Sequence, residues 1–302
     1  MKDDTGLAAE WTRLMAPRSG DIRTDLVDEA AEYLGIPLAE AWDRLRGAGD
    51  RFRDEWIATV GQSTDATLIT EFYNRVDTEL FELLEWHAVD PIHYRTLILR
   101  DAVRPRRGRS YLDYGSGIGS DAVVFAEAGY SVTVADISDL LLGFAEFRCR
   151  KRGATVHTID LKSQELPANA YDVAVCFDVL EHIPEPIPVV HRIHRAMRRG
   201  GVVAIHAPFG HDPEHPMHVV HDDVVTPRVR SLGLLPIEVP FPPTVRAPQI
   251  YRAAAVPAWE RACYYLYDVH LNNAVGRPLA TAYRRLCSLL RVNRRAWLTE
   301  RS

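Results

Sequence analysis

The sequence predicts an α/β fold, a doubly wound and mostly parallel sheet of seven strands that follows a helical N-terminal segment. Between residues 110 and 208, five short β-rich runs alternate with stretches of helical length, a pattern typical of parallel sheets built from βαβ units. A glycine-rich turn follows the first of these runs, and an aspartate ends the second. Both features favour a ligand site at the carboxyl edge of the sheet.

The first 109 residues show a helical pattern. In DLVDEAAEYL, LAEAWDRLRG and TLITEFYNRVDTELFELLEWHA, apolar residues recur at intervals of three and four, which is the period of one helix face. The last of these runs predicts one long helix, and a charged segment with Pro and Gly at residues 103–110 ends the region. We therefore expect two parts: a helical lid and substrate-specificity segment at residues 1–109, and a Rossmann-like sheet domain with C-terminal helices at residues 110–302.

The sheet is predicted from runs of β-branched and aromatic residues. Five strands are expected in order at SYLDYG, SVTVADI, ATVHTID, YDVAVCFD and GVVAIHAP. LPIEVPF and QIYRAAA predict two later strands. Helices are expected at residues 121–128, 138–152, 186–198, 224–233, 258–268 and 278–292.

The composition argues against a nucleic acid or a membrane as the partner. The 302 residues carry a formal net charge of -5, which does not supply the positive field that a phosphate backbone requires. No window approaches the roughly 18 apolar residues of a membrane span. The four cysteines show no CxxC spacing, so we expect reduced thiols in a cytoplasmic protein that acts on a small molecule. The sequence leaves a homodimer open.

The turn after the first strand is the strongest indication of a ligand site. In LDYGSGIGSD, Gly115, Gly117 and Gly119 lead into a helix, and glycines there allow positive φ angles and let a nucleotide approach bare backbone at a helix N-terminus. Asp136 ends the next strand, where a carboxylate can accept hydrogen bonds from a ribose diol. The sixth position of the turn is Ser120, whereas the dinucleotide fingerprint has Gly or Ala. A pyridine dinucleotide is therefore disfavoured.

The pattern LDYGSGIG resembles the first motif of class I methyltransferases that depend on S-adenosylmethionine (SAM). The similarity extends over about residues 111–208, and it includes FDVLEHIPEP after the fourth strand, which is similar to the small-molecule members, and RRGGVVAIHAP at the fifth strand. Ser116 stands where many relatives have Cys, and Tyr114 replaces a small aliphatic residue. The resemblance implies the class I methyltransferase fold, with SAM as the cofactor.

The resemblance also implies which residues contact the cofactor. Asp113 would lie near the methionine ammonium, Asp136 would bind the ribose, and Asp160 would meet the adenine amino group. The full set of expected cofactor-binding residues is Asp113, Gly115, Ser116, Gly117, Gly119, Asp136, Ile137, Asp160, Leu161 and Asp178.

Methyl transfer from a sulfonium depends mainly on orientation of the attacking atom, and a base is useful when that atom carries a proton. Four candidates follow: His182 after the fourth strand, His206 at the end of the fifth, His211 in the loop beyond it, and Tyr73 in a polar and aromatic cluster of the N-terminal helices. Five histidines between residues 206 and 221 match no zinc motif. No metal site is predicted.

The sequence leaves three functions open. The leading one is methyl transfer to an O, N, S or C atom of a small molecule, because FDVLEH lacks the Pro-Pro-aromatic and Pro-Cys elements of macromolecular base methylation. The second is cyclisation of SAM by its own amine, which forms an azetidine ring and releases methylthioadenosine. The third is a SAM-binding subunit without turnover.

Overall fold

A seven-stranded sheet forms the centre of the computed structural model, which describes residues 4–103, 109–209, 214–219 and 228–266. The strands are β1 (Ser110–Tyr114), β2 (Ser131–Asp136), β3 (Val156–Asp160), β4 (Tyr171–Phe177), β5 (Met197–His206), β6 (Leu234–Pro236) and β7 (Gln249–Ala253). Their order is β3-β2-β1-β4-β5-β7-β6. The first five strands are parallel, and β7 is antiparallel to both β5 and β6. The predicted seven-stranded sheet is confirmed. The sixth strand is shorter than predicted, since β6 covers Leu234–Pro236 and the prediction was residues 235–241.

Helices cover both faces of the sheet and build the N-terminal segment. They are α1 (Asp4–Met15), α2 (Ile22–Leu34), α3 (Leu38–Leu45), α4 (Ala48–Thr59), α5 (Ala66–Arg75), α6 (Thr78–Val89), α7 (Arg95–Ala102), α8 (Ser120–Glu127), α9 (Asp139–Lys151), α10 (Pro186–Ala196) and α11 (Ala258–Tyr265). Short 3-10 helices lie at Pro91–Tyr94, Leu180–His182 and Arg230–Leu232. Among the described ranges, every helix is too short or too polar to cross a membrane.

Two further boundaries differ from the prediction. The long N-terminal helix is divided into α5 and α6, because Val76 takes an extended conformation with φ -89° and ψ 137°. β5 begins at Met197, where the prediction had a helix that continued to residue 198, because Met197 pairs with Tyr171 of β4. The predicted helices at 278–292 and 224–227, and the end of the one at 258–268, lie outside the described residues.

The helical segment packs directly on the sheet domain. Trp11 and Met15 of α1 are buried in the same apolar cluster as Val132 of β2. Each fully buried side chain of this kind contributes about 1.5–3 kcal/mol. Glu29 of α2 also accepts a 2.9 Å hydrogen bond from Nε of Arg148 on α9, and both side chains are at most 2% exposed. Since separating a buried ion pair leaves an uncompensated charge, the segment is fixed to the sheet domain by charge as well as by apolar contact.

Candidate functional site

A cavity of about 1350 Å³ opens at the carboxyl edge of the sheet. Its lining combines the turn after β1 and the ends of β2 and β4 with residues from the N-terminal helices. Pockets for one small molecule usually measure roughly 300–1,000 Å³. The cavity therefore has room for a cofactor and a second ligand.

The glycine turn has the backbone that its sequence predicts. Gly115, Gly117 and Gly119 have φ angles of 70°, 50° and 72°, in the left-handed region that side chains disfavour. Gly115 and Gly117 line the cavity. Gly119 instead packs against α9, where an added Cβ would come within 2.6 Å of the Ala145 Cβ. Gly115 and Gly117 thus expose backbone to the cavity, although a Cβ at Gly115 would also collide with the side chain of Val179. Gly119 allows α8 and α9 to approach each other.

Asp136 lies at the floor of the cavity with its carboxylate fixed by main-chain amides. Oδ2 accepts a 2.9 Å hydrogen bond from Gly117 N, and Oδ1 accepts one of 3.0 Å from Ser138 N. Burial raises the pKa of this carboxyl, and the two backbone amides act against that rise. Each oxygen keeps a second lone pair, so the carboxylate can still accept hydrogen bonds from a ligand diol.

Asp113 and Ser116 face the cavity with unused hydrogen-bonding capacity. Both are buried, and neither Asp113 Oδ2 nor Ser116 Oγ has a hydrogen-bond partner within the described part of the chain. Burial and the neighbouring charge of Asp121 raise the pKa of Asp113 well above its usual range. Because buried polar atoms are nearly always paired, these two atoms indicate a place for a polar or cationic group of a ligand.

The residues expected around the adenine divide into two groups. Ile137 and Leu161 line the cavity. Asp160 ends β3 as predicted, but its carboxylate accepts hydrogen bonds from Lys162 N at 3.0 Å and from Ser163 Oγ at 2.7 Å. The structure thus brings the apolar pair to the cavity and directs Asp160 towards its own turn.

Asp178 carries a buried network that the sequence did not indicate. It accepts hydrogen bonds from Arg95 on α7 and, at 2.5 Å, from Nδ1 of His206. Although burial opposes ionisation, the hydrogen bond from His206 and the charge of Arg95 lower the pKa of Asp178 to about 2. Asp178 lines the cavity as expected, while both of its oxygens are engaged by the protein.

Arg95 is the most informative residue that the sequence analysis missed. Its side chain is 2% exposed, and its guanidinium stacks 4.1 Å above the ring of Phe177. Nη2 pairs with Asp178, whereas Nε and Nη1 have no partner among the described residues, and the side chain lines the cavity. A buried guanidinium with two free donors fits a carboxylate. The only signal in the sequence is an arginine that interrupts an amphipathic helix, which is too common to be diagnostic.

His206 differs from its predicted place. It lines a separate cavity of about 210 Å³ and is not among the residues that line the main cavity. Its Nδ1 is directed to the carboxylate of Asp178. Proton transfer to a ligand in the main cavity is therefore not supported for His206, and its contact supports a role in holding Asp178.

Tyr73 and His182 meet in the main cavity although 109 residues separate them. The Tyr73 hydroxyl lies 3.3 Å from Nδ1 of His182. Burial lowers the pKa of His182 to about 3 and raises the pKa of Tyr73 well above its usual range. Both side chains are therefore neutral near pH 7, and the phenol can donate to the imidazole. His211, the fourth candidate, lies outside the described residues.

Potential metal ligands also come together, although the sequence spacing predicted no metal site. One ligand atom each from Glu181, His182 and His218 lies within 4.8 Å of the others. His218 comes from the loop beyond β5, and only the fold brings it beside the segment after β4.

A family model described as a methyltransferase domain matches residues 87–252. A ubiquinone biosynthesis O-methyltransferase of Methylococcus capsulatus is 34% identical over 125 residues, which are 40% of this chain and 52% of that protein. Its counterpart in Bordetella avium is 26% identical over 203 residues, 65% of this chain and 83% of that one. The chain spans about half the length of the first curated relatives that it matches.

Solved methyltransferases show a weaker likeness. The magnesium protoporphyrin IX methyltransferase of Synechocystis PCC 6803, solved with bound S-adenosylhomocysteine, is 16% identical with a TM-score of 0.48, and the match covers 63% of this chain and 100% of that one. The family model provides the assignment. Because it matches more than half of the 302 residues, the chain belongs to the methyltransferase domain family.

Proposed function

We propose that the protein transfers a methyl group from SAM to a small-molecule acceptor. The observation that carries the proposal is the carboxylate of Asp136, held at the cavity floor by amides of the glycine turn and of the loop after β2. A carboxylate fixed in this way beside bare glycine backbone is suited to a nucleoside. The family assignment supports the same function.

The unpaired groups of the cavity fit the remaining parts of SAM. Asp113 Oδ2 offers an acceptor for the amino group, and Arg95 offers two donors for the carboxylate. Ile137 and Leu161 supply apolar surface for the adenine. Asp160 then contributes by shaping the turn that carries Leu161, rather than by direct contact.

The chain's own task in this reaction is positioning. SAM supplies an activated methyl group when bound, so the protein must orient the acceptor and exclude water. The helical segment, residues 1–109, contributes Tyr73 and much of the cavity wall, and we propose it as the lid and specificity element. Tyr73 and His182 are the polar pair placed to contact the acceptor. The reduced thiols of Cys149, Cys176 and Cys263 are consistent with a cytoplasmic protein.

Calorimetry with S-adenosylhomocysteine is the direct test of the cofactor, with NADH as the matched control ligand. Saturable heat with the former and none with the latter is expected. The nucleoside formed from SAM then identifies the reaction, since methyl transfer gives S-adenosylhomocysteine and cyclisation gives methylthioadenosine. Binding of NADH without binding of SAM or its product would overturn the proposal.

A further inference from the structure

The guanidinium of Arg148 on α9 bonds to the glycine turn and to the helical segment at the same time. Nη1 donates hydrogen bonds to Ile118 O in the turn at 2.6 Å and to Ser120 Oγ at the start of α8 at 3.0 Å. Nε donates to Glu29 of α2 at 2.9 Å, and Nη2 lies 3.5 Å from Sδ of Met15 at the end of α1. Because a guanidinium presents its donors in a rigid fork, the turn and the two helices are held in one arrangement.

This arrangement is buried, and it depends on Glu29. Arg148 is 0% exposed and Glu29 is 2% exposed. Arg152, which follows α9, adds a second bond to Glu29 at 2.8 Å and donates to two main-chain carbonyls at the end of α1. Removing one partner of a buried ion pair leaves an uncompensated charge. A shift of α2 away from α9 would therefore also disturb the guanidinium that holds the turn.

Apolar side chains connect the same two parts of the protein. Ile118 of the turn is 0% exposed and lies in one apolar cluster with Leu26 of α2 and with residues of α6. Leu83 of α6 lies directly against Gly117, where an added Cβ would come within 3.3 Å of Leu83 Cδ1. Gly117 is also the residue whose amide bonds to Asp136. The helical segment thus packs against the turn that carries the proposed nucleoside site.

The residues of this network lie outside the cavity. Arg148, Glu29, Ile118 and Met15 are not among the residues that line it. Direct contact of these side chains with a ligand in the cavity is therefore not supported. An effect of Glu29 on ligand binding has to pass through the glycine turn.

We propose that Arg148 is a positioning residue of the cofactor site, and that it couples docking of the helical segment to binding of the nucleoside. While α1 and α2 are docked, the guanidinium holds the Ile118 carbonyl, and the neighbouring Gly117 amide stays directed at Asp136. Displacement of α1 and α2 removes contacts of Arg148, and the turn is no longer held. Since such coupling is reciprocal, the bound nucleoside stabilises the docked segment. The inference rests on the proposed function, which names the ligand.

Glu29→Gln tests the coupling in the full chain, with S-adenosylhomocysteine as the ligand in calorimetry. The amide keeps the side-chain volume, but it has no charge and accepts through one atom, whereas Arg148 and Arg152 both donate to Glu29. The dissociation constant should rise about 5-fold or more, the lower end of typical coupling between sites. Methylthioadenosine should lose affinity by the same factor, because Arg148 acts on the turn beside the nucleoside and not on the amino acid end.

Glu32→Gln is the matched control. Glu32 lies on the same helix and pairs with Lys151 of the same α9, but its side chain is 55% exposed and lies outside the cavity. Because exposed ion pairs contribute little, its affinity for S-adenosylhomocysteine should stay within about twofold of wild type. The stoichiometry separates coupling from instability: an unfolded fraction lowers the number of sites per chain, whereas a displaced turn weakens each site.

Hydrogen exchange of the wild-type protein tests the reverse direction, and it holds even if Glu29→Gln does not fold. S-adenosylhomocysteine should slow amide exchange in α1 by about 5-fold or more, although no residue of α1, which is described in full, lines the cavity. Helix α11 also lies outside the cavity. Its amides should be slowed less, since it has no part in the network.

Three results would overturn the inference while S-adenosylhomocysteine still binds to the wild type. The first is wild-type affinity in folded Glu29→Gln. The second is a loss in Glu29→Gln that is confined to S-adenosylhomocysteine and leaves methylthioadenosine unchanged. The third is exchange in α1 that the ligand slows no more than exchange in α11. Failure of the wild type to bind S-adenosylhomocysteine at all would instead overturn the proposed function, and this inference with it.

Discussion

The main-chain amide of Gly117 donates a 2.9 Å hydrogen bond to Oδ2 of Asp136. This contact joins the turn after β1 to the end of β2, so the two features that the sequence singled out depend on each other. The carboxylate orients the turn, and the turn fixes the carboxylate in the cavity. Because the protein's own amides hold this carboxylate, little further ordering is needed for a ligand to bind there.

Asp136→Asn should weaken binding of S-adenosylhomocysteine by about 10-fold or more, because hydrogen bonds to charged groups contribute about 1.5–3 kcal/mol. The amide keeps the volume but can accept through only one atom, while Gly117, Ser138 and a ribose diol all donate. Calorimetry measures the change. Asp139→Asn, an exposed neighbour that pairs with Lys162, should bind like wild type; equal affinity of the two variants would contradict this role.

Gly119→Ala should destabilise the fold far more than Gly153→Ala. The two glycines have nearly equal φ angles of 72° and 75°, but a Cβ at Gly119 meets Ala145 at 2.6 Å whereas one at Gly153 meets nothing within 4 Å. Backbone strain of about 1–2 kcal/mol is common to both, and overpacking adds about 1–3 kcal/mol at Gly119 alone. Urea unfolding gives the two free energies. Equal values would show that α8 and α9 move apart without cost.

Arg95→Lys should weaken the binding of S-adenosylhomocysteine and leave the binding of methylthioadenosine unchanged. The lysine keeps the charge but loses the fork that can hold a carboxylate with two donors, so binding of S-adenosylhomocysteine should weaken by about 10-fold. Methylthioadenosine has no amino acid carboxylate, and its affinity should be unchanged. Binding of methylthioadenosine therefore serves as the control that the variant is folded. A parallel loss for both nucleosides would indicate that Arg95 acts only through the structure around Asp178.

The sequence predicted the sheet and the cofactor turn because these depend on local patterns. Alternation of strands and helices, glycines at a tight turn and an acidic residue at a strand end are each encoded within a few residues of one another. The orientation of Asp160 was not predictable in the same way, since its carboxylate bonds within its own turn to Ser163.

The other half of the cavity could not be predicted because it depends on how the helical segment packs on the sheet. Arg95 and Glu79 reach the site only after α6 and α7 dock near β4, and only Tyr73 of this segment was among the predicted site residues. Val76 breaks the predicted long helix, and that break lets α5 and α6 place residues in one cavity. The position of His206 depends in turn on its pairing with Asp178.

Tyr73→Phe should lower turnover by about 100-fold, the lower end of the contribution of a positioned proton donor or acceptor, while the fold stays intact. The lost hydroxyl is the group that contacts His182 at 3.3 Å. Formation of S-adenosylhomocysteine from SAM in the presence of an acceptor measures turnover, and thermal unfolding checks the fold. Tyr33→Phe is the control, because its hydroxyl contacts Leu140 O outside the cavity. Unchanged kinetics in Tyr73→Phe would remove it from the site.

Glu181 should make the unliganded protein less stable as pH rises from about 7.5 to 9. Burial raises the pKa of Glu181 from 4.5 to about 9, so the folded state holds a proton that the unfolded state has released. Stability then falls with pH by up to about 1.4 kcal/mol per unit until the pH passes the folded pKa. His87 and His182, with pKa values lowered to about 3, change stability only below about pH 6.5, where stability is lost as pH falls.

Urea unfolding at pH 7.5, 8.25 and 9 measures this slope. Glu181→Gln should flatten it, because the amide cannot ionise, whereas Glu127→Gln, at an exposed position paired with Arg13, should keep the wild-type slope. Glu82, with a pKa raised to about 7, has released most of its proton before this window and remains in both variants. If the three slopes agree, Glu181 is ionised in the free protein, and a water or cation must already occupy the space beside it.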